Sequence, residues 1–399
     1  MTAGNAPVAL NPEREEQARN WLLLCLIILL AFGLVIVFSA GYVRGLFQGG
    51  GARFGLAFAQ LCYMLLGGVA LLITYSLPRR ILRRMSLPLL VVSLLLLCLV
   101  WVPGVGREVR GGTRWIALGP LTLQPSELAK IALILWLSNV LSVRTANGRS
   151  RLHAGVPFAV IFLFSGLVLI QPHLGSAVMI TASGVAVMYL AGVRLSKLLA
   201  GCLIALTLGA LAVGGTWLAR PDTWGKKWEA KWERIASFYS EGGVEADRYG
   251  GGYQSFQSML AIASGGWAGK GIGASRAKFN YLPDGHTDFI YAILGEELGF
   301  WACLLVLVCF LGLMAKGFSL GQQAKDRFAG LLICGLSVSL GLQALVNIGM
   351  ATAWLPAIGL PLPFVSYGGS SLLVSLAAIG LMLGASHFEP EGERNWRRT

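Results

Sequence analysis

Charge is scarce in this 399-residue chain, where Asp, Glu, Lys and Arg make up 13% of residues and hydrophobic residues 55%; mean hydropathy is +0.67. A soluble domain carries about twice that share of charge, so the composition excludes a water-soluble globule and describes a polytopic membrane protein. Histidine is scarcer still: His153, His173, His286 and His387 stand far apart in sequence, which argues against a histidine-rich metal site. Cysteine occurs only inside apolar runs, at Cys25, Cys62, Cys98, Cys202, Cys303, Cys309 and Cys334. These read as packing residues and exclude both a disulfide framework and a CxxC metal knuckle. No cleavable leader is expected either, because residues 1–20 mix Arg14 and Arg19 with Glu13, Glu15 and Glu16, and no small-residue cleavage pattern follows a basic start. Glycine-rich GGWAGKG around Lys270 lacks the spacing and the Ser or Thr of a nucleotide P-loop, and GKGIG is not GxGxxG. With no basic, aromatic-interleaved platform outside the apolar runs, nucleic acid is not an expected partner.

What is there, in quantity, is long apolar sequence. About 18–25 apolar residues are needed to cross a bilayer as helix, and ten such runs lie near 21–43, 54–76, 86–103, 124–142, 154–171, 177–193, 198–218, 298–315, 328–350 and 368–386. The expected fold is therefore all-α, a bundle of about ten transmembrane helices. Lys and Arg fix its orientation. One set of short connections carries Arg79, Arg80, Arg83, Arg84, Arg144, Arg149, Arg151, Arg194, Lys197, Lys316, Lys325 and Arg327, and the tails add Arg14, Arg19, Arg394, Arg397 and Arg398. The opposite connections hold only Arg44, Arg53, Arg107, Arg110 and Arg114. Both termini are thus expected in the cytoplasm, with tails 1–20 and 387–399 around a membrane domain 21–386 that extends one large outer loop, 219–297. The net charge of +13 follows from this asymmetry and from attraction to anionic membrane lipid.

Function is sought in that outer loop. It opens with Trp224, Trp228 and Trp232 interleaved with Lys226, Lys227, Lys231 and Arg234, the pattern of a helix lying in the headgroup layer or of an ordinary amphipathic packing helix. Lys270, Arg276 and Lys278 follow in a glycine-rich stretch that suits a pyrophosphate at the membrane surface. Asp284, His286, Thr287 and Asp288 then stand immediately before an apolar run, and an ionisable cluster at a bundle's lip is by default a functional site. Inside the runs, Glu127 and Lys130 share one helix face as a structural charge pair. Gln343 and Asn347 precede a segment broken by Pro356, Pro361 and Pro363, irregular backbone that is tolerated at membrane depth only against protein or a wet cavity.

In joint order, GGTRWIALGPLTLQPSELAK (111–130), QPHLGSA (171–177), GYQSFQS (252–258), YLPDGHTDF (281–289), GEELGF (295–300) and LPFVSYGGSS (362–371) resemble the SEDS family of bacterial cell-wall polymerases, the FtsW/RodA/SpoVE proteins. The resemblance spans nearly the whole chain and is nearer FtsW, the division branch, than RodA, the elongation branch. It implies a peptidoglycan glycosyltransferase in the bacterial inner membrane, at the division septum, polymerising lipid II into β-1,4 glycan and releasing undecaprenyl pyrophosphate. The implied partners are a class B penicillin-binding transpeptidase and other division or elongation proteins. The family's essential Asp falls on Asp288, a general base for the acceptor 4-hydroxyl. Leaving pyrophosphate needs positive charge, from Lys278 first, then Arg276 and Lys270, or from a divalent cation such as Mg2+ or Mn2+; no metal ligands are assigned. Asp284, His286 and Thr287, with Ser366, Tyr367 and Ser370 of the SYGGSS run, complete the expected substrate-binding set. His173 stands where the family carries Asp, so that carboxylate's role does not transfer, and Asp284 replaces a usual Glu. A lipid II flippase and a docking scaffold are the other readings; a flippase needs a polar path through the bundle, whereas the polar residues here gather at one face.

Overall fold

The computed structural model describes residues 12–47, 55–102, 104–109, 112–118, 121–143, 154–219 and 226–387. The greater part of each of the ten apolar runs lies on one helix: α1 (Pro12–Phe47), α2 (Gly55–Ser76), α3 (Arg79–Leu99), α4 (Pro125–Ser142), α5 (Gly155–Ile170), α6 (Leu174–Leu190), α7 (Leu195–Ala219), α11 (Ile290–Gln323), α12 (Arg327–Ala351) and α13 (Gly369–Ala385). By length and composition five can cross a membrane, at Glu13–Tyr42, Gly55–Ser76, Arg79–Leu99, Ile290–Gln323 and Arg327–Ala351; α5, α6, α13 and part of α7 are shorter apolar helices. A helix that is apolar all round belongs in the middle of a bundle. That describes α4, buried from Ile131 to Ser138 without interruption, and much of α12. At the periphery α3 buries a single stripe (Leu82, Ser86, Leu90, Ser93, Leu97) and exposes Leu87, Val91 and Leu95. Close helix contact without a hydrophobic driving force relies on small residues, as where Gly380 of α13 meets the backbone of α2: a Cβ there would come 2.3 Å from the Leu71 carbonyl oxygen.

Between α3 and α4 the chain makes a three-stranded antiparallel sheet, β1 (Gly106–Val109), β2 (Gly112–Leu118) and β3 (Leu121–Leu123), ordered β1-β2-β3 and absent from the all-α expectation. The expected outer loop is itself largely helical, with α8 (Lys226–Tyr239), α9 (Gly243–Ala246), α10 (Tyr253–Gly265) and a π-helical turn, Ala277–Tyr281. On α8 Trp232 is exposed, while Trp224 lies outside the described residues, as do residues 1–11 and 388–399 of the two tails.

The boundary of α11 differs most from expectation: it begins at Ile290 rather than 298 and continues to Gln323, so Glu296 and Glu297 are helical and buried. Gly299 breaks this helix with φ 78° and ψ −171°. The break exchanges hydrogen bonds with the segment after α10. Lys270 and Gly271 donate backbone N–H to the carbonyls of Glu296 (3.0 Å) and Glu297 (2.9 Å), while Phe300 donates to Gly266 (2.9 Å). Only glycine fits that crossing, since a Cβ at Gly299 would lie 2.3 Å from the Gly269 nitrogen.

Candidate active site

Asp288 is placed by a turn rather than by a helix. Asp284 adopts φ 62°, and its carbonyl accepts the N–H groups of Thr287 (3.0 Å) and Asp288 (3.1 Å) and the Thr287 hydroxyl (3.2 Å). Asp284 thereby shapes the turn, which ends at Phe289, the residue capping α11. Asp288 stands just ahead of that helix N-terminus, whose dipole favours negative charge.

The turn is then fastened to the irregular segment between α12 and α13, where Ala353, Gly359 and Phe364 have positive φ. Three successive carbonyls accept from it or from α12: His286 from the Tyr367 N–H (3.0 Å), Thr287 from the Ser366 hydroxyl (2.5 Å) and Asp288 from Asn347 Nδ2 (2.7 Å). Ser366 also accepts the Leu362 N–H (2.8 Å). On the side-chain surface the His286 and Tyr367 rings stand 6.2 Å apart, both half-buried. The Asp288 carboxylate lies against Gly359, where a methyl group would sit 3.3 Å from Oδ2.

Arg114 of β2 completes this cluster, a residue to which sequence reasoning gave no site role although it lies in the GGTRW motif. Its Nη2 donates to the Pro172 carbonyl (3.1 Å). Burial pushes its pKa down, the charge of Asp288 acts in the opposite direction, and Arg234 of α8 adds to the lowering. A guanidinium and the candidate base thus share one electrostatic environment. Beside them His173 is buried at the start of α6, its Nδ1 3.5 Å from Gln124 Nε2.

Lys278 and Lys270 are placed elsewhere. Lys278 Nζ lies 2.9 Å from Glu297 Oε1 with side chains 2% and 0% exposed, and it also donates to Ser39 of α1 (3.0 Å) and to the Gly273 carbonyl. Lys270 pairs with Glu296 (2.9 Å), which further accepts the Ser275 hydroxyl (2.7 Å) and the backbone N–H groups of Arg276 (3.1 Å) and Ala277 (3.1 Å). The adjacent carboxylates of α11 therefore bind the basic segment to the bundle, and the two lysines expected to face pyrophosphate meet protein carboxylates instead. Arg276 is exposed. Ser370 also has local work, accepting the Gln124 N–H (3.0 Å) and donating to the Thr122 carbonyl (2.6 Å).

The Glu127–Lys130 pair closes at 3.0 Å with both side chains buried. Lys130 donates to Gln343 (2.5 Å), and Gln343 to the Pro361 carbonyl (2.9 Å). This buried chain supports the irregular segment from below, one helical turn from Asn347. Among the described residues no three His, Cys, Asp or Glu side chains converge so as to hold a metal ion.

The FtsW/RodA/SpoVE model, described as a cell cycle protein, matches residues 19–391. A probable peptidoglycan glycosyltransferase FtsW of Trichlorobacter lovleyi is 37% identical over 92% of this chain and 92% of its own length; that of Coxiella burnetii is 36% identical over 91% and 94%. Among solved structures, a chain from a study of how a peptidoglycan synthase complex coordinates polymerization and crosslinking superposes with TM-score 0.69 at 30% identity, covering 92% of this chain and 96% of that one. The rod shape-determining protein RodA of Thermus thermophilus gives 0.64 at 29% identity over 92% and 95%. The chain belongs to the FtsW/RodA/SpoVE family, a multi-pass membrane protein by its helices as by its relatives.

Proposed function

We propose that this chain is a peptidoglycan glycosyltransferase of the FtsW type, polymerising lipid II into β-1,4 glycan at the outer face of the bacterial inner membrane during cell division. The observation carrying this reading is the half-buried carboxylate of Asp288, on a turn whose three successive carbonyls, of His286, Thr287 and Asp288, accept hydrogen bonds from Tyr367, Ser366 and Asn347, with the half-buried Arg114 guanidinium within its electrostatic reach. Asp288 takes the proton of the acceptor's 4-hydroxyl as its oxygen bonds to the donor's anomeric carbon. The carbon–oxygen bond to the lipid pyrophosphate breaks with inversion, and the electron pair leaves on the pyrophosphate. Arg114 offsets that charge from a partly dry site, where a fixed cation is worth more than in water. His286 and Tyr367 offer ring faces to the sugars; Asp284, Thr287, Ser366 and Ser370 hold the frame. Lys270 and Lys278 act through Glu296 and Glu297, keeping the loop in register, and Arg276 is the cation of that segment left facing outward. The step is written with the chain's own groups.

Ten crossings with both termini in the cytoplasm put Arg114 and Asp288 on the outer face, in keeping with the Lys and Arg asymmetry. A class B penicillin-binding transpeptidase is the partner this reading requires, because a structural relative works within a complex that couples polymerization to crosslinking. The site of action is then the division septum. Purified chain plus transpeptidase, given lipid II, is expected to form glycan polymer, and Asp288→Ala is expected to form none while remaining folded. Polymer at the wild-type rate from Asp288→Ala would overturn the base assignment. No polymer from wild type, with lipid II crossing reconstituted vesicles instead, would favour transport.

A further inference from the structure

We infer that Asn347 is the positioning residue for Asp288, locking the base and the loop beside it into one rigid unit; the inference rests on the reading of Asp288 as the base. Asn347 is completely buried on α12, and its Nδ2 donates to two carbonyls at once, those of Asp288 (2.7 Å) and Leu360 (2.6 Å). Both distances are short for N–H···O bonds. The amide orientation is forced, because turning it over would set Oδ1 against two carbonyl oxygens. One side chain thereby ties the residue carrying the carboxylate to the backbone next to Gly359, the residue against which that carboxylate rests.

Stability alone does not explain an amide here. Oδ1 is buried without a hydrogen-bond partner, and an unsatisfied buried acceptor is a cost. What the amide supplies is two donors in a fixed plane, at the height where α12 passes the turn. One helical turn earlier, Gln343 repeats the device on the Pro361 carbonyl (2.9 Å), itself held by Lys130. The spacing of four puts both amides on one face of α12, so the loop that borders the base is gripped at Leu360 and Pro361 while the base itself is gripped at Asp288.

Displacing a reacting group by about 1 Å costs on the order of 100-fold in rate, and a group that only positions the base acts on turnover rather than on substrate affinity. The test measures glycan polymerisation by the full-length chain with its transpeptidase in detergent, as kcat and KM per monodisperse, folded molecule, for wild type, Asn347→Asp, Asn347→Leu, Asn347→Gln and Asp288→Asn. Asn347→Asp and Asn347→Leu remove both donors and are expected to lower kcat roughly 10- to 100-fold with KM within about threefold. Asn347→Gln keeps a donor and is expected to fall between them and wild type. If the first two do not fold, Asn347→Gln decides: reduced kcat at unchanged KM supports the inference, and wild-type kcat overturns it. Folded Asp or Leu variants turning over at the wild-type rate, or failing only in KM, would also overturn it. Wild-type turnover by Asp288→Asn would instead remove the base reading, and this inference with it.

Discussion

Replacing Lys278 by Met separates two roles that sequence and structure give the same amine. In the fold its ammonium lies 2.9 Å from Glu297, the two side chains being 2% and 0% exposed, with Ser39 and the Gly273 carbonyl as further acceptors. Removing the cation alone leaves the Glu297 carboxylate buried, with Oε2 already lacking a hydrogen-bond partner. Breaking one side of a buried pair costs about 3–5 kcal/mol, whereas replacing both sides by apolar groups of similar volume is often neutral. Lys278→Met and Glu297→Leu are each expected to lose several kcal/mol, roughly 3 or more. The double variant should recover most of it, which makes the coupling roughly 5 kcal/mol, above the roughly 0.5–3 kcal/mol of ordinary neighbouring pairs. The assay is unfolding of the detergent-solubilised protein, followed by intrinsic fluorescence and size exclusion, with polymerisation measured on the folded fraction. The folded double variant should retain most of its activity, because neither group touches substrate. A Lys278→Met protein as stable as wild type yet devoid of polymerase activity would refute this reasoning and return the amine to the leaving pyrophosphate.

Arg114→Ala should lower kcat roughly 100- to 1,000-fold, the range seen when one charge-stabilising donor is lost. Arg114→Lys should restore it only in part, since an ammonium cannot donate to Pro172 and also present a second planar edge to an anion; equal kcat for Arg114→Ala and wild type in the polymerisation assay would sink the role. Gly299→Ala must place a Cβ 2.3 Å from the Gly269 nitrogen at φ 78°, so destabilisation of about 1–3 kcal/mol or more is expected in thermal unfolding. An unchanged melting curve would show that the crossing of α11 and the 266–271 segment is not as described.

The bundle was legible because an apolar slab of roughly 30 Å leaves few alternatives: each of the ten runs falls for the greater part on a helix. So was the Asp284–Asp288 cluster at the head of α11, and so was the break forced by Pro356, Pro361 and Pro363. What sequence misjudged depended on partners far along the chain. Glu296 and Glu297 fell inside the expected outer loop, yet they lie buried on a helix, where Lys270, Ser275, Lys278 and backbone N–H groups neutralise both and satisfy every carboxylate oxygen but Glu297 Oε2. The same contacts explain why Lys270 and Lys278 looked available. Arg114 and Asn347 gave weaker local signals. One sat among outer-loop arginines that decide orientation, and the other was one polar residue in an apolar helix, so nothing local tied either to Asp288.

The most direct test of the account is the turnover of Asp288→Asn, which keeps size and hydrogen-bonding shape but cannot take a proton. Measured beside wild type with saturating lipid II and the transpeptidase present, kcat is predicted to fall roughly 100- to 10,000-fold while lipid II binding changes less than about threefold. Turnover within a few-fold of wild type would contradict a carboxylate base at Asp288.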